Sequence, residues 1–133
     1  SAVLGVGAEG PDGAGGGSGR APGACIDYRE WHYGLENLNT YMRRLPGGTI
    51  EANLVGRDVA ILLGDADTGS SQLDVSCGAN LQGPHRFARG RALLAYMDAF
   101  HPGHRHRYAI VEGVGHSSRG VFLSAEGLAI LFE

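Results

Sequence analysis

A carboxylate and a histidine brought together in space can move protons, and two short loops of this sequence can supply them. Val59-Ala60-Ile61-Leu62-Leu63 is a continuous apolar run closed by Gly64 and followed by Asp65-Ala66-Asp67. Tyr108-Ala109-Ile110-Val111 is a second run, followed by Gly113-Val114-Gly115-His116-Ser117. Open parallel sheets place their working residues just beyond the carboxyl ends of strands. If the two runs are neighbouring strands, an acid from the first loop meets an imidazole from the second. A buried carboxylate fixes the tautomer of that imidazole and stabilises the imidazolium formed when it takes a proton. Asp65 and Asp67, with Asp74 further on, are the candidate acids, and His116 is the candidate base. Aspartate also favours turns and caps, so these residues have a purely structural reading as well.

Other chemistries are poorly served. Gly5-Val6-Gly7-Ala8-Glu9-Gly10 has the Gly-x-Gly-x-x-Gly spacing, but that fingerprint needs a helix opening behind it. Pro11-Asp12-Gly13 and the glycines that follow forbid one, so no dinucleotide cofactor is expected. His101, His104 and His106 have no cysteine or carboxylate at a zinc spacing, and read as a solvated loop with no metal. Arg86, Arg89 and Arg91 read as a wet helix face. Tyr28, Trp31 and Tyr33 serve equally as pocket lining or as packing.

The elements that must hold the two loops follow from periodicity. Nine glycines in the first 23 residues describe a mobile loop, behind a short strand at Ala2-Val3-Leu4-Gly5-Val6. Leu35, Leu38, Tyr41/Met42 and Leu45 have helical spacing, which predicts a helix over 35–45 stopped by Pro46-Gly47-Gly48. The run at 59–63 predicts a strand buried on both faces. Residues 65–84 look irregular. A second helix over 86–100 would use Phe87, Leu93/Leu94, Met97 and Phe100, and Ser124 would cap a last helix. Alternating helices and strands predict an α/β fold with a mostly parallel sheet flanked by helices.

Taken with these elements, the loops resemble those of α/β-hydrolases. Leu62-Leu63-Gly64-Asp65-Ala66-Asp67 is similar to the acid loop of that superfamily, and Val111-Glu112-Gly113-Val114-Gly115-His116 to its histidine loop. Tyr28-Arg29-Glu30-Trp31-His32-Tyr33-Gly34-Leu35, Leu73-Asp74-Val75-Ser76-Cys77 and Gln82-Gly83-Pro84 resemble the C-terminal half of a group of bacterial members. The resemblance spans about Tyr28 to Phe132. It implies Asp67 as triad acid, His116 as general base, and no cofactor.

One motif is missing. The superfamily order is Ser, acid, His, with Ser on a Gly-x-Ser-x-Gly turn. No such turn precedes Asp67: Gly16-Gly17-Ser18-Gly19-Arg20 ends in Arg. Gly115-His116-Ser117-Ser118-Arg119-Gly120 closes one residue late, and neither histidine nor aspartate follows it. The expectation is therefore an incomplete hydrolase, with a Gly-rich segment over 1–27 and the C-terminal part of the domain over 28–133. The opening at Ser1, inside an apolar stretch with no basic segment, also suggests a fragment or processed chain, so the compartment is left open. The enzyme would act on a small ester-like substrate. The alternative is a non-catalytic interaction domain derived from a hydrolase half.

Composition agrees with either. A formal charge of −3 over 133 residues and a pI near 6.0 favour neither nucleic acid nor an anionic membrane. No apolar run spans a bilayer. The two cysteines permit a Cys25–Cys77 disulfide and equally permit two separate thiols.

Overall fold

A computed structural model describes residues 25–132. The expected strand at 2–6 and the glycine-rich loop lie outside the described residues. Two parallel strands form the centre, β1 (Ala60–Gly64) and β2 (Arg107–Val111). Their register pairs Ala60 with Arg107 and Gly64 with Val111, so both strands end at the same level. Helices α1 (Thr49–Gly56), α2 (Cys77–Gln82), α3 (Arg86–Phe100), α4 (Ser118–Phe122) and α5 (Ala125–Phe132) accompany them. This is the small, incomplete α/β arrangement that the alternating pattern predicts. Among the described residues no helix is long and apolar enough to cross a membrane.

Burial of β1 differs from the expectation. Only Gly64 is buried, Ile61, Leu62 and Leu63 are half-buried, and Ala60 is exposed. A two-stranded sheet has too few neighbours to cover both faces, and on β2 Tyr108 and Ile110 are exposed as well. The core lies to one side, around Leu94, Tyr96 and Met97 of α3, with Met97 wholly enclosed. Phe100, expected on that face, is exposed because it sits in the last turn before His101.

The helix expected over 35–45 does not form. Asn37 takes a left-handed backbone conformation (φ 47°), and the Asn39 side chain accepts the Met42 amide at 2.9 Å. Asparagine offers the backbone these local alternatives to a helix. What remains is a 3₁₀ turn at Met42–Arg44, and the helix begins later, at Thr49. Two further short helices lie where loops were expected. Ser76 caps α2 by accepting the Ala79 amide, and Ser117 caps α4 by accepting the Gly120 amide. Ser124 caps α5 as predicted, accepting the Gly127 amide at 2.9 Å.

The histidines between α3 and β2 are not a solvated loop. His106 is buried, and its Nε2 donates to the Leu54 carbonyl at 2.8 Å. His104 meets Asp98 at 2.9 Å, and His101 lies 3.5 Å from Glu51. Two of the rings reach α1 and one reaches α3, so together they hold both helices beside β2. Among the described residues no cluster of three or more His, Cys, Asp or Glu side chains could hold a metal ion.

Cys25 and Cys77 are joined, with their Cα atoms 5.8 Å apart. The bridge ties the start of the described chain to the first residue of α2 across 52 residues of sequence. A cross-link of that span restricts the unfolded chain strongly. The double replacement Cys25→Ser/Cys77→Ser is expected to cost about 3 kcal/mol in urea unfolding, with a similar loss when the parent protein is reduced. Equal midpoints for bridged and unbridged protein would show that the link contributes nothing.

Candidate active site

The common level of the strand ends brings the acid loop and the histidine loop together. Three hydrogen bonds join them directly. The Asp65 amide donates to Val111 at 3.2 Å, the Ala66 amide to Val114 at 3.1 Å, and the Gly113 amide to the Asp65 carboxylate at 2.7 Å. Gly113 has φ +70°, which lets the chain turn sharply after β2. Asp65 is thus occupied in shaping the histidine loop.

Asp67 is the aspartate that meets His116. Its Oδ2 lies 3.0 Å from Nδ1 of the imidazole. A carboxylate can only accept, so Nδ1 carries a proton, which in the neutral ring leaves the Nε2 lone pair free. The Asp67 side chain is 15% exposed and that of His116 is 61% exposed. The acid is therefore shielded while the imidazole faces outward. A cleft of about 210 Å³ opens beside the pair, walled by Leu62, Leu63, Phe87, Val121 and Phe122. A second cleft of about 280 Å³, near Arg29, Leu38 and Ile50, lies among different residues and has no such pair.

Asp74, the other alternative, works elsewhere. It accepts the Ser76 amide at 2.9 Å and the Tyr33 hydroxyl at 2.7 Å. Those two donors hold its carboxyl down at about 2, the backbone amide being the stronger influence. Tyr33 also contacts the Ser76 hydroxyl and lies over Gly78. The aromatic segment therefore packs against α2, with Tyr28 buried and Trp31 partly exposed.

The arginines correct the sequence reading most clearly. Arg86 and Arg89 are half-buried and reach the irregular segment between β1 and α3, and Arg91 alone is exposed as expected. Arg89 donates to the carbonyls of Gly83 at 2.9 Å and Asp74 at 2.7 Å. Arg86 donates to those of Ser71 and Gln72, and its other terminal nitrogen lies 3.6 Å from the Asp67 carboxylate. No sequence period marks such contacts, because they join a helix to an irregular segment up to 15 residues away.

Ser117 follows His116 directly, but its hydroxyl is engaged in capping α4. Among the described residues, then, the loops bring a carboxylate and an imidazole together, and the serine beside them caps α4.

No family model matches the chain, and no curated protein matches it significantly. Among solved structures, the poly(3-hydroxybutyrate) depolymerase LpqC from Bordetella parapertussis aligns with it at 29% identity and a TM-score of 0.45. The alignment covers 60% of this chain and 33% of that one, so the chain is matched to about a third of that protein's length.

Proposed function

We propose that this chain supplies the acid and base of a serine hydrolase that cleaves an ester or related acyl bond. The observation that carries this reading is the 3.0 Å contact between Asp67 and the Nδ1 of His116, in a pair that lines a cleft. In that arrangement Nε2 takes the proton of an attacking serine hydroxyl. The serine oxygen forms a bond to the acyl carbon, and His116 later returns the proton to the leaving group. Water repeats the cycle to free the acid and restore the serine. Asp67 holds the ring in the tautomer that makes Nε2 the acceptor.

The serine itself is assigned to a Gly-x-Ser-x-Gly turn in polypeptide outside residues 1–133. A fluorophosphonate probe, which bonds covalently to activated serines, tests this on the chain and on any longer product of the same reading frame. The expected result is no labelling of the chain and one labelled serine, outside these residues, in the longer product, accompanied by hydrolysis of a short-chain p-nitrophenyl ester. Labelling of Ser117 or Ser118 would place the nucleophile within the chain and overturn the assignment. A longer product that neither labels nor hydrolyses would instead favour a non-catalytic interaction domain.

A further inference from the structure

The half-buried Arg86 lies beside the Asp67–His116 pair, and the chemistry above does not use it. It is the first residue of α3, and its guanidinium reaches two places at once. Nη2 donates to the Ser71 carbonyl at 2.9 Å and to the Gln72 carbonyl at 2.8 Å. Nη1 lies 3.6 Å from Oδ1 of Asp67. That oxygen is buried and has no hydrogen-bond partner, while Oδ2 faces the imidazole. The next residue completes the grip, because the Phe87 amide donates to the Asp67 carbonyl at 3.2 Å. Gln72 holds a left-handed backbone (φ 53°), a conformation that costs a non-glycine residue energy and persists only when its surroundings enforce it.

We infer that Arg86 is a positioning residue: it braces the acid loop against the start of α3 so that Asp67 keeps one carboxylate oxygen toward the guanidinium and the other toward His116. The inference rests on the reading of Asp67 and His116 as acid and base. The fork shape of the guanidinium is essential to it. One nitrogen serves two carbonyls while the other faces the carboxylate, a span that a lysine ammonium of the same charge cannot reproduce. The charge compensates Oδ1, which would otherwise be a buried carboxylate oxygen with nothing facing it. The fork fixes the direction in which the carboxylate points.

The test uses ¹⁵N NMR of the 133-residue chain to read the tautomer of neutral His116, with Asp67→Asn and Arg86→Lys as variants. In the parent, Asp67 should hold the Nδ1–H form. Asp67→Asn should lower the Nδ1–H to Nε2–H ratio about tenfold, as expected for losing a hydrogen bond to a charged group. Arg86→Lys keeps the charge and loses the fork, and should lower the ratio at least about threefold, since one pair of contacts is weakened and not deleted. A ratio unchanged by Arg86→Lys, with Asp67→Asn effective, would overturn the positioning role and leave the acid–base pair standing. A ratio unchanged by Asp67→Asn would overturn both. If the lysine variant does not fold, the parent's Arg86 side-chain N–H signals decide. Slow rotation and protection from exchange, both lost in Asp67→Asn, support the brace. Free rotation in the parent overturns it.

Discussion

His116→Ala, placed in a polypeptide that joins this chain to its serine nucleophile, is expected to lower kcat for a short-chain p-nitrophenyl ester by about 10⁵-fold or more, with little change in KM. The imidazole stands in every proton transfer of the proposed cycle. Without it the serine keeps its proton and the leaving group departs unprotonated. Asp67→Asn should cost less, about 10⁴-fold, because the ring remains present in the wrong tautomer. The order of the two losses is informative. The imidazole is 61% exposed on its side chain, so it can still sample the working orientation when its orienting acid is gone. Steady-state rates for both variants check this. Activity within tenfold of the parent after His116→Ala would remove the imidazole from the mechanism. A larger loss from Asp67→Asn than from His116→Ala would mean that Asp67 touches the reacting groups itself.

The meeting of Asp67 with His116 was more legible than the elements that support it. Val59 to Leu63 and Tyr108 to Val111 are apolar runs ending in glycine-rich loops, and both the strands and the meeting of Asp67 with His116 follow from that pattern. Hydrophobic period reports which side of an element is covered, and it misleads where side chains bond locally to the backbone. Leu35, Leu38, Met42 and Leu45 have helical spacing, yet Asn37 and Asn39 divert the backbone between them. The eight-residue α1 and the shorter α2 and α4 have too few turns for a period to show. Arg86, Arg89 and the histidines at 101, 104 and 106 looked solvated because their types favour water. Their carbonyl and carboxylate partners are fixed by tertiary structure alone, and nothing in the spacing of the residues announces it.

Gly64→Ala should be among the most damaging single-methyl changes within the described residues. Gly64 ends β1, is buried, and pairs with Val111. A Cβ there would stand 2.9 Å from the Val114 carbonyl carbon and closer still to its oxygen. The obstacle is backbone, so no side chain can rotate aside. The acid and histidine loops would have to separate by on the order of 1 Å, breaking the Asp65–Val111 and Ala66–Val114 hydrogen bonds that stitch them. Overpacking costs about 1–3 kcal/mol, and each lost hydrogen bond adds about 1 kcal/mol. The expected loss in urea unfolding is about 4 kcal/mol or failure to fold. A variant that does fold should also lose about 10²-fold in kcat within an active polypeptide, since a displacement of that size spoils alignment. Gly113→Ala is the matching control. Gly113 has φ +70° and open space around it, so a methyl meets only the left-handed backbone penalty of about 1–2 kcal/mol. The two glycines lie on facing loops, and the difference between them separates steric contact from backbone conformation. If Gly64→Ala unfolds within about 1 kcal/mol of the parent, less than the single-bond and overpacking costs together, the loops do not approach this closely, and the geometry that lets Asp67 reach His116 is wrong.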